Sequence, residues 1–235
     1  MSWTKTARVQ NPEYREEWVR KALKALVSDR KQNLLDVGAG SSPYRKVAES
    51  LGYNYASHDF NGYTPRNSEV KLSGLHNFDW EYAEHDFICE ILEIPETQKY
   101  DLILCTEVLE HIPDPVRVFE KLNRMLNNDG FLVISVPLMS LMHQAPYWFQ
   151  AGLSPYWFEY WSEKNNLKII SLEVFGDYLD LVKQESIRSI FTILKFKGSG
   201  QLARAAMKIL EIFRRRFPAP LLESGGFGTL YIGQK

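Results

Sequence analysis

The sequence predicts an α/β fold in which a doubly wound, mostly parallel sheet carries helices on both faces. Short apolar runs typical of buried strands alternate with helical segments, and a glycine-containing turn follows the first of these runs. Strands that alternate with helices pair in parallel, because each helix returns the chain to the same end of the sheet. We predict strands near 33–37, 54–58, 83–86, 101–105, 131–136, 168–175 and 228–233.

Length and composition favour a single domain over 1–235. The chain has 235 residues, of which 45% are hydrophobic and 24% charged, enough to bury one substantial core. Within it, 1–30 is expected to form an N-terminal cap, with an amphipathic helix from Pro12 to Arg30 that carries Trp18, Leu23 and Leu26. The segment 177–224, between the last two predicted strands, has a helical pattern and is expected to be an insertion within the domain.

Charge and cysteine usage point to a protein of the reducing cytoplasm. The formal net charge of −1 gives no overall attraction to nucleic acid. Cys89 and Cys105 lack the spacing of a zinc site or a disulfide scaffold. No apolar run reaches the roughly 18 residues of a membrane span, and the N-terminus lacks the apolar stretch of a signal peptide. We therefore expect a cytoplasmic location.

The most informative motif is the turn after the first predicted strand. Gly38 and Gly40 follow Asp36, and glycines at these positions allow a tight turn whose backbone approaches a ligand closely. A dinucleotide-binding turn needs a further small residue three positions after Gly40, and Pro43 stands there instead. The motif thus favours a nucleoside ligand without phosphates, with the next helix beginning at Pro43 and capped by a preceding serine.

Acidic residues close the next two predicted strands. Asp59 lies about twenty residues after Gly40, where folds of this kind hold the two ribose hydroxyls. Asp86 ends the third strand, and Phe87 and Ile88 after it offer apolar surface for an adenine ring. An aspartate at a strand end is more often a turn residue, but the occurrence of both Asp59 and Asp86 at the expected spacing after the glycine turn favours a nucleoside site.

With these residues in place, the chain resembles the class I S-adenosylmethionine-dependent methyltransferases over nearly its whole length. The segment Tyr100–Pro115 is similar to the family's fourth-strand motif, and Met125–Pro137 is similar to its helix, turn and fifth strand. The resemblance implies a Rossmann-like seven-stranded sheet of order 3-2-1-4-5-7-6 with the last strand antiparallel. It also implies S-adenosylmethionine as the cofactor.

The resemblance also implies a role for each matched residue. Asp36 belongs to the cofactor-binding motif, Gly38 and Gly40 face the methionine part, Asp59 faces the ribose, Asp86 and Phe87 face the adenine, and Thr106 and Glu107 face the sulfonium end. Ser42 and Pro43 depart from the family pattern, since many members have a further glycine there.

The acceptor is expected at the aromatic segment 142–161, which follows the fifth strand. Aromatic faces with a few polar groups suit sugar rings as well as phenolic or quinone rings. The stretches 143–146 and 154–158 resemble methyltransferases found beside glycosyltransferases in bacterial surface-polysaccharide gene clusters, which favours a glycan or related small-molecule hydroxyl. Alternatively, Trp157, Phe158 and Trp161 bury a helix against the sheet.

For catalysis we predict O-methylation with His111 or His143 as general base and Glu107 beside them. Imidazole titrates near neutral pH, and methyl transfer depends mainly on alignment of the acceptor with the methyl group. Nitrogen and carbon acceptors remain open.

A metal-assisted reaction is an alternative. If residues 107–111 are helical, Glu107, Glu110 and His111 share one face and could converge with His143 on a divalent ion. That set resembles the metal site of small-RNA 3′-terminal methyltransferases and of metal-dependent quinone-pathway enzymes. Since the same pattern is widespread among metal-independent relatives, we predict no metal.

Two further points stay open. A cofactor-binding but catalytically silent partner subunit is a different class that the motifs disfavour only mildly. The stretch 201–217, with Lys208 and the basic run 214–216, allows peripheral membrane contact, although a solvated charged face is favoured. The sequence says nothing about oligomeric state.

Overall fold

A computed structural model describes most of the chain in three stretches, 14–63, 82–176 and 228–235. It also describes the backbone of 4–6 and helical positions at 180–182, 201, 205–206, 208–209 and 212. The strands are β1 (Thr4–Thr6), β2 (Asn33–Val37), β3 (Asn54–Asp59), β4 (Phe87–Ile88), β5 (Tyr100–Thr106), β6 (Leu126–Pro137), β7 (Lys168–Phe175) and β8 (Gly228–Gln234). The helices are α1 (Tyr14–Leu26), α2 (Arg45–Ser50), α3 (Pro115–Met125) and α4 (Pro155–Lys164), with 3₁₀ turns at Ile91–Glu93 and Leu109–His111.

The strands form one sheet in the order β4-β3-β2-β5-β6-β8-β7-β1. The central pairs are parallel, whereas β8 runs antiparallel to both β6 and β7. In the numbering of the predicted strands this order is 3-2-1-4-5-7-6, so the predicted α/β fold is confirmed. The edge strand β1 was not predicted, because three residues are too few to show a periodic pattern.

The two faces of the sheet bury separate apolar clusters. One face packs against α1 and α2, with Val19 and Leu23 of α1 fully buried over β2 and β5. The other face packs against α3 and α4, where Phe119 and Phe158 meet Tyr231 of β8. Alternate residues along each central strand point to opposite faces, which is why these strands are continuously apolar.

Both helices of the second face begin in the same way. Asp114 accepts a hydrogen bond from the backbone N–H of Arg117, and Ser154 accepts one from Trp157, so each side chain caps the first turn. A proline occupies the first helical position after each cap. Proline suits this position because its missing N–H would have no partner there. The two caps therefore fix the residues at which the loops at the carboxyl ends of the strands end and the helices begin.

Several predicted boundaries were wrong. Helix α1 ends at Leu26 rather than at Arg30, while its predicted start at Pro12 lies outside the described residues, and the third strand is Phe87–Ile88 rather than 83–86. Asp86 lies just before the strand. Its backbone N–H donates a hydrogen bond to the Ser57 carbonyl, and its carboxylate accepts one from the Ser57 N–H. Helix α2 begins at Arg45 without a serine cap, because Ser42 takes a left-handed φ of 53° and keeps the chain in a turn through Tyr44.

The predicted single domain and its insertion stay predictions. Most of 177–224 and of 1–13 lies outside the described residues, as does 64–81. The three residues of the basic run at 214–216 lie outside them as well. In the part of the chain that the structure describes, no helix has the length and apolar character needed to cross a membrane.

Candidate methyl-transfer site

The turn between β2 and α2 uses its two glycines for different reasons. Gly38 and Gly40 both have left-handed φ angles, of 67° and 52°. A Cβ on Gly38 would lie 2.3 Å from Val108 Cγ2, whereas a Cβ on Gly40 would meet nothing within 4 Å. Gly38 therefore allows the turn to pack against the segment after β5. Gly40 borders open space, where a ligand can approach the backbone.

Asp59 at the end of β3 ties this turn to its neighbour. One carboxylate oxygen accepts a hydrogen bond from the Gly40 N–H at 3.0 Å, and the other accepts one from the Asn61 N–H at 3.0 Å. The residue is 6% exposed. Because each carboxylate oxygen can accept more than one hydrogen bond, both retain capacity for a pair of hydroxyls.

Asp36 lies beneath the turn rather than at its surface. It is 1% exposed and accepts a hydrogen bond from the Tyr55 hydroxyl at 2.6 Å. Burial raises the pKa of its carboxyl to about 7, while the bond from Tyr55 opposes this shift. In this structure Asp36 supports the turn from below; its assignment as a cofactor-binding residue stays a prediction.

Asp86 and Phe87 lie at the outer edge, beside β3. The Asp86 carboxylate accepts bonds from the backbone N–H of Ser57 at 2.8 Å and from its hydroxyl at 3.3 Å. Phe87 pairs with His58 in the sheet and is half-buried, whereas Ile88 is exposed. The residues predicted to face the adenine therefore lie together at the end of the sheet edge formed by β3 and β4.

Thr106 is the last residue of β5 and Glu107 follows it, so both lie at the carboxyl end of the parallel strands, where the glycine turn also lies. Glu107 has a left-handed φ of 55° and accepts a hydrogen bond from the Ser135 hydroxyl at 3.0 Å. Its other carboxylate oxygen lies 2.8 Å from Nη1 of Arg15, a residue of α1. The sequence analysis missed Arg15, because one arginine on the polar face of an N-terminal helix has no distinctive pattern.

Buried Glu110 and partly buried His111 lie together in the 3₁₀ turn, which replaces the helix assumed in the metal alternative. His111 Nε2 lies 3.7 Å from Glu110 Oε1, and neither Glu110 carboxylate oxygen has a hydrogen-bond partner among the described residues. Burial raises the pKa of Glu110, and the nearby charge of Glu107 adds to this. Burial also lowers the pKa of His111 to about 4, so its imidazole is neutral near pH 7.

The loop after β6 completes the site with His143 and two aromatic residues. Nδ1 of His111 lies 2.5 Å from the Tyr147 carbonyl, and Nδ1 of His143 lies 3.0 Å from the Leu141 carbonyl. The two imidazoles meet edge to face with centroids 5.0 Å apart, and Trp148 lies 4.5 Å from His143. The backbone carbonyl of Glu110 accepts bonds from Phe149 and Gln150, which anchors this loop.

The aromatic segment 142–161 divides between this site and the core. Tyr147 contacts Phe60 across the cleft, with ring centroids 5.1 Å apart. Phe158 is fully buried and stacks on Tyr231, while Trp157 and Trp161 pack partly buried against the same cluster. The predicted acceptor surface is therefore restricted to the first part of the segment, and the alternative of core packing holds for α4.

Comparison with known proteins identifies the family of the chain. Residues 11–181 match the family described as methyltransferase domain. A ubiquinone biosynthesis O-methyltransferase of Aliivibrio fischeri is 31% identical over 108 residues, covering 44% of this chain and 43% of that protein. One from Glaesserella parasuis is 45% identical over 42 residues, 18% of each chain. The chain thus spans less than half the length of these curated relatives.

Solved structures share the fold. A putative sarcosine dimethylglycine methyltransferase from Galdieria sulphuraria superposes with a TM-score of 0.56 at 19% identity, covering 94% of this chain and 84% of that one. The family match spans most of the chain, so the protein belongs to the methyltransferase domain family. The predicted relationship to class I methyltransferases is confirmed for family and fold.

Proposed function

We propose that the protein transfers a methyl group from S-adenosylmethionine to a hydroxyl group of a glycan or related small molecule. The observation that carries this proposal is the pair of imidazoles, His111 and His143, beside the glycine turn. Gly38 contacts Val108, three residues before His111, so the turn and the histidines lie on the same side of the fold. A neutral imidazole at that place can take the proton that a hydroxyl loses on methylation.

The residues of the turn fit the proposed cofactor. Gly40 borders open space, and the Asp59 oxygens keep acceptor capacity for the two ribose hydroxyls. Bound there, the cofactor would supply a methyl group on a positively charged sulfur, which a nucleophile attacks in line. Thr106 and Glu107 lie at the end of β5, between this turn and the histidines, and would face the sulfur.

The chain's own residues prepare the histidines for proton transfer. The carbonyl of Tyr147 can only accept a hydrogen bond, so Nδ1 of His111 carries the proton and Nε2 presents a lone pair. The low pKa keeps this imidazole neutral, although it also makes it a weak base. His143 stands beside it in the same tautomer, held by Leu141. Glu107 would orient the reacting groups through its bonds to Ser135 and Arg15.

The names of the relatives and the side chains around the histidines both favour a hydroxyl acceptor. The relatives of the chain are named as ubiquinone biosynthesis O-methyltransferases, and O-methylation needs the proton acceptor that the imidazole pair provides. The rings of Tyr147 and Trp148 offer flat surfaces beside the histidines, which suit a sugar ring.

The test is binding followed by transfer. Calorimetry with S-adenosylmethionine and S-adenosylhomocysteine should show binding of both, and a radiolabelled methyl donor should label an acceptor in a screen of glycans, phenols and RNA. Binding with no transfer to any acceptor would favour a silent partner subunit. Failure to bind either ligand would overturn the proposal.

A second candidate is cation-assisted O-methylation, as in the alternative with RNA 3′ ends or quinone precursors. Among the described residues, ligand atoms of Glu110, His111 and His143 lie within 4.8 Å of one another. Each imidazole has one nitrogen at a backbone carbonyl, the arrangement that orients histidine ligands of metals. A cation would also satisfy the buried Glu110 carboxylate. Glu107, the fourth candidate, is instead engaged by Arg15 and Ser135.

Metal analysis separates the two candidates. Bound divalent metal in purified protein, lost in Glu110→Gln and on chelation together with activity, would support the cation. Full activity after exhaustive chelation would contradict it and leave the imidazole mechanism in place.

A further inference from the structure

The loop after β3 and the loop after β6 meet through aromatic side chains. The ring of Tyr147 lies edge to face against Phe60 with centroids 5.1 Å apart, and against Tyr63 with centroids 6.4 Å apart. The hydroxyl of Tyr82 accepts a hydrogen bond from the Tyr63 N–H at 3.0 Å and donates one to the Tyr63 carbonyl at 3.1 Å. The three rings of Phe60, Tyr63 and Tyr147, which we call the aromatic bridge, join the two loops at the carboxyl end of the sheet.

The loop after β3 is shaped to carry the ring of Phe60. The carboxylate of Asp59 accepts a hydrogen bond from the Asn61 N–H at 3.0 Å, and Asn61 has a left-handed φ of 52°. A Cβ on Gly62 would lie 2.7 Å from Cε2 of Phe60, so the absence of a side chain on Gly62 leaves the space that the ring occupies. The turn therefore directs Phe60 toward the loop after β6.

Tyr147 is also the residue whose backbone faces His111. Its carbonyl lies within hydrogen-bond distance of Nδ1 of His111. The residues that follow are held by other bonds, since the N–H groups of Phe149 and Gln150 donate to the Glu110 carbonyl. Tyr147 thus contacts the loop after β3 with its ring and the proposed base with its carbonyl.

Resting on the proposed function, we propose that Phe60 and Tyr147 are positioning residues: the aromatic bridge holds the Tyr147 carbonyl at Nδ1 of His111. A carbonyl only accepts hydrogen bonds, so it selects the tautomer with the proton on Nδ1. Nε2 then presents the lone pair that can take the proton of the acceptor. The other tautomer presents an N–H at Nε2 and cannot act as a base there.

The test measures the tautomer of His111 directly. Protein labelled with ¹⁵N in its five histidines is studied by NMR in the presence of a chelator, so that no cation sets the tautomer. The signals of His111 are assigned by their loss in His111→Asn. In the wild type, His111 should carry its proton on Nδ1. Phe60→Ala should lower the ratio of the Nδ1 tautomer to the Nε2 tautomer about 3- to 10-fold, the change expected from the loss of one aromatic pair.

Three variants show whether the ring contact is the cause. Tyr160→Ala is the matched control, because Tyr160 meets Trp161 edge to face at the same 5.1 Å on α4, away from the histidines, and it should leave the ratio unchanged. Tyr147→Phe keeps the ring and the carbonyl and should behave as the wild type. Tyr147→Ala keeps only the carbonyl and should match Phe60→Ala.

Three results would overturn the positioning role. They are a wild-type His111 with its proton on Nε2, an unchanged ratio in Phe60→Ala, and effects of Phe60→Ala and Tyr147→Ala that add fully in the double variant, since two partners lose their contact only once. The spectra need neither donor nor acceptor, so each result holds whether or not the protein transfers a methyl group. A wild type that does not bind S-adenosylhomocysteine would overturn the proposed function and leave the tautomer measurement unaffected.

Discussion

The two halves of the cleft are built in different ways. In the donor half, which comprises 38–42, Asp59 and Asp86, each carboxylate accepts hydrogen bonds from nearby backbone N–H groups. In the acceptor half, which comprises 107–111 and 140–150, Glu110 is buried without a hydrogen-bond partner in the described structure. Both carboxylates of the donor half have hydrogen-bond partners before any ligand arrives, whereas the Glu110 carboxylate has none among the described residues.

In the proposed function, this difference separates the surface that binds the cofactor from the surface that takes part in the reaction. Carboxylates that accept hydrogen bonds from backbone N–H groups have a fixed geometry, which suits a cofactor that must be positioned. Burial in the acceptor half moves the pKa of Glu110 upward and lowers that of His111 to about 4, so burial opposes the charged form of both groups. Strongly shifted groups in a cleft are typical of sites of proton transfer.

The largest effect is expected from removing the imidazoles. The double variant His111→Ala, His143→Ala should lower kcat about 10²- to 10⁴-fold, because the reaction loses its proton acceptor. The affinity for S-adenosylhomocysteine should stay within about threefold, since both rings lie in the acceptor half. Steady-state kinetics and calorimetry check the two parts. Undiminished turnover in the double variant would remove the distinction between the halves.

Gly38 packs against Val108 where the two halves meet, so replacing Gly38 should lower the stability of the protein. Gly38→Ala introduces a Cβ into the space of Val108 at a left-handed φ, with an expected loss of about 2 to 4 kcal/mol in the free energy of unfolding. Gly40→Ala has the strained φ but open space, and should lose only about 1 kcal/mol. Denaturant unfolding measures both.

A second substitution tests the cause of the Gly38 effect. Val108→Ala removes the Cγ2 methyl that lies 2.3 Å from the added Cβ, so Gly38→Ala should cost less in its presence than alone. If the two losses simply add, contact with Val108 is not the reason for glycine at this position.

Asp59 tests the donor half alone. Asp59→Asn should lower the affinity for S-adenosylhomocysteine about 10- to 100-fold, because it removes the charge and places an amide N–H against a backbone donor. Asp129→Asn is a matched control, since Asp129 is exposed and asparagine tolerates its left-handed φ of 63°. An affinity unchanged by Asp59→Asn would contradict the ribose assignment.

The donor half was predictable because it is local in sequence. Gly38, Gly40 and Asp59 lie in short motifs within one strand–turn–helix–strand unit, the alternation of strands and helices predicted a parallel sheet, and the family resemblance implied the strand order. The ion pair of Arg15 with Glu107 joins residues 92 positions apart, and the carbonyl that orients His111 comes from Tyr147. Such contacts depend on packing of whole elements, for which a single sequence carries no periodic signal.

The last and smallest effect concerns the buried carboxyl beneath the donor half. Asp36 keeps its proton in the folded state up to about pH 7, whereas the unfolded chain releases it near its ordinary pKa of 3.8. Between these values the folded state binds more protons, so this carboxyl lowers stability as pH rises and contributes no further change above about pH 7.

Asp36→Asn cannot titrate, and its amide oxygen can still accept the bond from Tyr55. Relative to wild type, the variant should therefore gain about 1 to 2 kcal/mol between about pH 5.5 and pH 7 and then level off. Urea unfolding at several pH values measures this difference, in which groups that titrate alike in both proteins cancel. A difference that stays constant with pH would contradict the raised pKa of Asp36 in the folded protein. A rise that levels off near pH 7 would show that burial raises the pKa of Asp36, the direction in which burial also moves the pKa of Glu110.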